Sequence, residues 1–327
     1  MFDQIKPLVS AAQRIVVVQP ENPDGDSLAC ALALERILGA IDKDVSLYCA
    51  IDLPKYLRYV PGWDRVTNEW AGRYDLAIVV DTASEALLQK MLATPGVRHN
   101  LDHMPVIVFD HHIEANEGSD LSFSFTPIIN PAAAATGELL YEVAMFEGWS
   151  IDADTASLLY ISLMADTLGL TTPSVTLRTF EVAVELIRLG ANPADIERRR
   201  RDYMRKPADI LAYKGDLIGR IEYHLDGRLA TVHIPWEDIQ TYSDRYNPSV
   251  LVLDEMRLVE GVEIAVAIKT YPDGKLTGKI RSNQPIADQV AGYFGGGGHS
   301  YSAGFKVNDT LAAIMPELLT AVTKAAA

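Results

Sequence analysis

The chain has 327 residues, 48% of them hydrophobic, with a formal net charge of -15 and a pI of about 4.9. That length suits about two domains of roughly 150 residues, each with enough apolar material for a core. The acidic balance argues against a long nucleic-acid polymer as the main partner, because such binding rests on many Lys and Arg contacts to phosphate. It leaves room for a short anion held through a divalent metal, which supplies positive charge locally.

The only cysteines are Cys30 and Cys49. Neither has a zinc or redox spacing, which suggests a reducing compartment. The opening stretch MFDQIKPLVSAAQRIVVVQP has no basic start followed by a long apolar core, so no signal peptide is expected. No apolar run approaches the ~18 residues of a membrane span. A cytoplasmic protein without membrane contact is the expectation.

In chain order, Ile15–Val18 reads as a first strand, followed by the loop QPENPDGD and a helix over Ser27–Leu38. Val45–Tyr48, Leu76–Val80 and Val106–Phe109 read as further strands, with Ile128 and Ile129 as a short fifth. Helices are expected at Glu85–Leu92, Thr136–Phe146, Asp152–Ala165 and Ser174–Leu189. This alternation specifies a doubly wound, parallel α/β domain. Asn192–Pro193 breaks the pattern, and Asp195–Ile221 reads as one or two helices carrying the run Arg198–Arg201. That basic run is expected to be a solvated face paired with Glu197 and Asp202. Beyond Tyr223 the segments LATVHI, VEIAVAIKTY and KLTGKIRS alternate like strands, with hairpin signals at Asp226–Gly227 and Asp273–Gly274. A smaller mixed-sheet domain is therefore expected, closing with Gly295–Gly298 and a helix from about Thr310. The expected boundaries are 1–190, a helical connector 191–222, and 223–327.

Three of the strands run into acids. Asp24 and Asp26 follow the first, Asp81 the third, and Asp110, His111 and His112 the fourth. A single Asp at a strand end is commonly a turn or cap residue. Several at one carboxyl edge, where open α/β sheets bind ligands, suggest a metal pocket if the strands are neighbours.

The segments NPDGDSL, VVDTAS, VFDHH and LMADTLG resemble, in order and approximate spacing, the four motifs of the DHH phosphoesterase superfamily. The late GGGGHSYSAG resembles the signature of the DHH-associated C-terminal domain. Within the superfamily, the chain is most similar to the nano-RNase and pAp-phosphatase group. The resemblance covers nearly the whole chain. It implies hydrolysis of short single-stranded RNA, dinucleotides such as pApA, or adenosine 3′,5′-bisphosphate, with Mn²⁺ at two sites and Mg²⁺ as the alternative ion. It assigns Asp24 and Asp81 to the first metal, and Asp26, Asp81, His111 and Asp166 to the second, with Asp81 bridging. His112 would face the substrate phosphate, and Asp110 would orient a histidine. Arg281, Gly296, Gly297, Gly298 and His299 would hold the rest of the substrate, with Tyr293, Phe294 or Tyr301 as a base-stacking platform or as core. Carboxylates and imidazoles suit Mn²⁺.

One position departs from the pattern. The family has a metal-binding His four residues before Asp24, and here that residue is Pro20, with Gln19 beside it. A weaker first site is expected. Two other readings share parts of the pattern. A manganese-dependent inorganic pyrophosphatase has the first-domain motifs but not the GGGGH ending. A nucleotide-binding protein with weakened catalysis would explain Pro20, but not the retention of Asp24, Asp26, Asp81, His111, His112 and Asp166.

Overall fold

The computed structural model describes residues 2–112, 120–243 and 245–326; the side chain of His299 lies outside the described residues. The chain forms two compact units, Met1–Arg205 and Lys206–Ala327. The division falls inside the expected connector. It separates helix α8 (Pro193–Met204) from α9 (Ala208–Gly219), where Pro207 stands as the cap that starts the second helix.

In the first unit, α1 (Ile5–Ala11) precedes β1 (Arg14–Gln19), α2 (Gly25–Gly39) and β2 (Asp44–Cys49). Then come β3 (Leu76–Val80), α3 (Gln89–Ala93), α4 (Val97–His103), β4 (Val106–Asp110) and β5 (Thr126–Ile129). The helices α5 (Thr136–Glu147), α6 (Ala153–Asp166) and α7 (Leu177–Arg188) follow. The strands make one parallel sheet in the order β2-β1-β3-β4-β5. β3 and β4 are buried along their full length, which is why they read as unbroken apolar runs. Strand alternation sends Ile15 and Val17 of β1 to one face, packed with Leu28, Leu32 and Leu139. Val16 and Val18 go to the other face, packed with Leu101 and Phe123. The order reverses at β1, so the carboxyl ends of β1 and β3 flank the crevice where such sheets bind ligands.

Two expected elements change. The helix expected over Glu85–Leu92 is interrupted at Leu88 (φ −125°), which is fully buried; a 3₁₀ turn over Glu85–Leu87 precedes the short α3. The helix expected from Ser174 begins at Leu177, because Thr176 caps it reciprocally with Thr179.

The second unit contains β6 (Glu222–His224), β7 (Leu229–Ile234), α10 (Trp236–Tyr242) and α11 (Pro248–Arg257). These are followed by β8 (Ile264–Thr270), β9 (Lys275–Ser282), α12 (Ala287–Tyr293), β10 (Gly297–His299), β11 (Ser302–Asn308) and α13 (Leu311–Ala325). Its six strands form a mixed sheet ordered β10-β11-β9-β8-β7-β6; the β7–β8 pair is parallel and the other pairs are antiparallel. The two Asp–Gly turns join β6 to β7 and β8 to β9. Among the described residues, no helix is long and apolar enough to cross a membrane.

Candidate metal centre

The pocket is built from helix starts, helix ends and strand ends that are forced together. Asp24 caps α2: its Oδ1 accepts from the amides of Asp26 and Ser27, both at 3.0 Å, while the Ser27 hydroxyl accepts from the Asp24 amide. Capping occupies one carboxylate oxygen and leaves the other without a hydrogen bond among the described residues. The first turn of α2 lies against the end of α6 so closely that a Cβ on Gly25 would overlap Ala165. On α5, a Cβ on Gly137 would overlap the Ser162 hydroxyl. Glycine at these two contacts brings three helices to one point.

Asp26 sits at that point, fully buried. Its Oδ1 accepts from the Ser162 hydroxyl (2.6 Å), the Cys30 thiol (3.1 Å) and the Gly137 amide (3.3 Å); its Oδ2 accepts from the Thr136 amide (2.7 Å). Asp81 follows β3 in the left-handed region, at φ 64°, a conformation that is costly for a residue with a Cβ and is held here by its surroundings. Its amide donates to the Phe109 carbonyl (2.7 Å), and its Oδ1 accepts from the Thr136 hydroxyl (2.9 Å). Burial, reinforced by the charges of Asp26, Asp24 and Asp166, pushes the Asp81 carboxyl well above the ordinary range. Burial and then Asp166 push Asp26 the same way, and burial and then Asp26 do so for Asp24. Anions crowded out of water need a cation.

His111 faces these acids. Its Nε2 is 3.0 Å from Asp166 Oδ2 and 3.7 Å from both Asp26 Oδ2 and Asp81 Oδ1. That nitrogen is buried and makes no aligned hydrogen bond. Burial alone would lower the imidazole pKa, but the carboxylates, Asp166 first, raise it to about 9. The other ring nitrogen is 3.3 Å from the Ala133 carbonyl, which fixes the ring. His112 Nδ1 lies 2.6 Å from Asp110 Oδ1, an oxygen that also accepts from the amides of His111 (2.8 Å) and His112 (3.2 Å). Asp110, buried at the end of β4, thus organises the pair of histidines from behind, and its contact raises the His112 pKa.

Two groups of ligand atoms lie within 4.8 Å of one another: Asp26, His111 and Asp166, and Asp81, His111 and His112. The expected residues of β1, β3, β4 and the end of α6 are therefore brought together, with Asp24 at the margin. A buried imidazole nitrogen ringed by carboxylates, with hard oxygen donors predominating, fits a divalent ion such as Mn²⁺ or Mg²⁺. Gln19 adds a second observation. It is 1% exposed, shares the α2-facing side of β1 with Ile15 and Val17, and neither amide atom has a hydrogen-bond partner. Pro20 beside it is buried, with its carbonyl taken by the Cys49 thiol at 3.5 Å.

Sequence reasoning missed Thr136, Ser162 and Cys30, which hold Asp26 and Asp81. Each reads as an ordinary small residue in an apolar helix. It also missed a cavity of about 680 Å³ beside Asp24, walled by Tyr56, Tyr59, Tyr160 and Met164, with Arg200 at its rim. Three arginines of the basic run of α8 are paired as a solvated face, Arg200 and Arg201 with Glu197 and Arg198 with Asp195, while Arg199 has no ion pair among the described residues; just past the helix, Arg205 pairs with Asp202.

In the second unit, Arg281 is half-buried on β9, where its Nη1 donates to the Ile280 carbonyl (3.0 Å) and the Ser302 hydroxyl (2.5 Å). Gly296 and Gly298 are required by packing, since a Cβ on either would strike the β11 backbone; Gly297 has open space around it. Lys279 and Lys269 share the face of the sheet with Arg281, and all three have pKa values lowered by burial first; neighbouring cations add to this, and Asp254 opposes it at Arg281 and Lys279. Phe294 stacks on Phe305 (4.3 Å) as core, whereas Tyr293 and Tyr301 are exposed.

A model of the DHH family N-terminal domain matches residues 14–163. That stretch, most of the first unit, is similar to the DHH family N-terminal domain. The chain is 26% identical over 293 residues to a bifunctional oligoribonuclease and PAP phosphatase NrnA of Thermus thermophilus, covering 89% of this chain and 83% of that one. Its fold is similar to that of an exopolyphosphatase-related protein from Bacteroides fragilis, with TM-score 0.84, 21% identity and coverage of 99% and 94%. Similarity to Thermus thermophilus RecJ, in a structure with Mn²⁺, is lower: TM-score 0.55 and 16% identity, over 99% of this chain and 54% of RecJ.

Proposed function

We propose that the protein is a metal-dependent phosphoesterase acting in the cytoplasm on short oligonucleotides, dinucleotides or adenosine 3′,5′-bisphosphate. The observation that carries this reading is the buried Nε2 of His111, 3.0 Å from Asp166 and enclosed with it by Asp26 and Asp81, at the switch point of the parallel sheet. Asp26, Asp81, His111 and Asp166 would hold one ion, and Asp24 with Asp81 a second, for which the Gln19 amide is the nearest substitute for the missing histidine. Mn²⁺ is the preferred occupant and Mg²⁺ the alternative. Divalent ions bound there supply Lewis acidity toward a phosphoryl group and make water a competent nucleophile near neutral pH.

The chain's own groups do the rest. Four hydrogen bonds fix the Asp26 carboxylate in place before any ligand arrives. Asp110 holds His112 by Nδ1 and turns Nε2 outward; with its raised pKa the ring donates to a phosphate oxygen. The tyrosine-walled cavity beside Asp24 offers rings for a nucleobase to stack on. Arg281 and the exposed backbone at Gly297 bind the part of the substrate that does not react, together with His299, Gly296 and Gly298. The protein's acidity keeps long polymers from competing.

The test is product analysis with Mn²⁺ on adenosine bisphosphate, a dinucleotide, a short oligomer and a long RNA. Cleavage of the first three, with the long strand nearly untouched, is the expected result. Equal rates on the long strand, or no Mn²⁺-dependent hydrolysis of any of them, would overturn the reading.

A further inference from the structure

Behind the tyrosine-walled cavity lies a second one of about 580 Å³, lined by residues of the first unit only. Tyr59, Ile161 and Ile196 line both and form the wall between them. The second cavity does not include Asp24, Asp26, Asp81, His111, His112 or Asp166. Its lining is unusual for so acidic a chain, because four arginines (Arg36, Arg58, Arg65 and Arg199) converge on it.

Internal pairing decides what those charges are free to do. Arg36 is bound to Asp152 (2.6 Å) and Asp154 (3.0 Å), and Arg65 to Glu35 (2.5 Å). Of the acids lining the cavity, Asp154 is thus answered by Arg36, and Asp195 is held by Arg198 at 2.8 Å. Asp64 is the remaining one. Arg58 and Arg199 have no ion pair among the described residues. The Arg58 Nε is buried without a hydrogen-bond partner, and its guanidinium lies over the Trp63 ring, 4.5 Å from the centroid. Stacking fixes the plane of the guanidinium while leaving the Nε donor unused, an arrangement suited to a phosphate oxygen. A buried donor without an acceptor is costly unless something accepts from it. Tyr59 and Tyr203 supply aromatic surface in the same cavity.

We propose that this cavity is a second ligand site, separate from the metal centre, for a nucleotide whose phosphates are held by Arg58 and Arg199 and whose base lies on the tyrosines. A nucleotide fits better than a bare anion because the free cations and the aromatic surface occur together. The segment that carries Arg58 also carries Tyr56, whose hydroxyl donates to the Pro23 carbonyl (3.3 Å) next to Asp24, so a ligand here grips the strand-to-helix connection of the metal centre from outside.

The test is calorimetric titration of the full chain with ADP in EDTA, in an Arg281→Met background that disables the arginine of the second unit. ADP is expected to bind, and Arg58→Met and Arg199→Met are each expected to weaken it about tenfold or more, the loss of one charge-assisted contact. Arg58→Lys, which keeps charge but not the planar fork, should recover only part of the affinity. Arg199 is exposed and has no ion pair among the described residues, so its variant reports even if Arg58→Met does not fold. Inorganic pyrophosphate should bind at least about tenfold more weakly than ADP. Unchanged ADP affinity in both arginine variants, or no ADP binding at about 1 mM, would overturn the site. Pyrophosphate binding as tightly as ADP would overturn its assignment to a nucleotide.

Discussion

The Ser162 hydroxyl donates to Asp26 Oδ1 at 2.6 Å, joining the last turns of α6 to the first turn of α2. With Thr136, Gly137 and Cys30 it aims a fully buried carboxylate at His111. Groups that orient ligands in this way are worth about 10–100-fold in metal affinity or activity. Ser162→Ala is therefore expected to weaken Mn²⁺ binding and turnover by about that factor, with the fold retained. Cys30→Ala should cost less, because a thiol is a weak donor. Mn²⁺ titrations of both variants check the ranking.

Asp81 illustrates a conflict between stability and function. Its carboxyl pKa is raised by burial and by three acidic neighbours, so in the metal-free protein folding favours the protonated form. A carboxyl raised above its unfolded value contributes stability that is largest at low pH and lost as pH rises through the folded value. Metal-free Asp81→Asn should accordingly melt higher than the parent near neutral pH and show a flatter pH dependence. Asn also tolerates the left-handed φ found there. Turnover should fall by orders of magnitude, and Mn²⁺ should no longer raise the melting temperature as it does in the parent. Melting curves with Mn²⁺ and with EDTA across pH check both signs.

The two metal sites should be unequal. In the proposed centre, Asp26, Asp81, His111 and Asp166 would form a nearly complete shell, whereas the Asp24 side would be short of one ligand at Pro20. A Mn²⁺ titration should show one tight and one loose ion. Gln19→Leu should weaken the loose site further if the orphaned amide completes it, and should stabilise the metal-free fold by removing buried polar atoms that have no partner. Two equally tight ions in Gln19→Leu would exclude that role.

Arg281 tests the second unit. Arg281→Ala should raise KM for dinucleotides and adenosine bisphosphate, and lower kcat where remote binding energy aligns the reacting phosphate. A simple phosphodiester without a nucleotide should be unaffected. Steady-state kinetics on the two substrate types distinguish these outcomes.

Much of this was legible in the sequence because the elements that matter are long and strongly patterned. β3 and β4 appear as buried apolar runs ending in Asp81 and Asp110, and the hairpin signals of the second unit stand at the turns. The topology supplied what spacing could not, namely that β1, β3 and β4 are neighbours. The short helices α4 and α10 were invisible because seven residues with one or two buried side chains leave almost no period. By contrast, α11 carried its own start signal, Asn247 as cap and Pro248 behind it, which went unread between two strand-like segments. The hydrogen-bonding partners of Asp26 were hidden for a different reason. Thr136 and Ser162 are polar only in the sense that folding gives them a carboxylate to face, more than 100 residues away in the chain.

The central claim is that His111 and the carboxylates around it are a metal centre. Direct binding of Mn²⁺, followed by electron paramagnetic resonance in the absence of substrate, tests it independently of any assay. Wild-type protein should immobilise one ion tightly, and His111→Ala, still folded by circular dichroism, should lose that tight ion together with hydrolysis. Undiminished tight binding in His111→Ala would contradict the account.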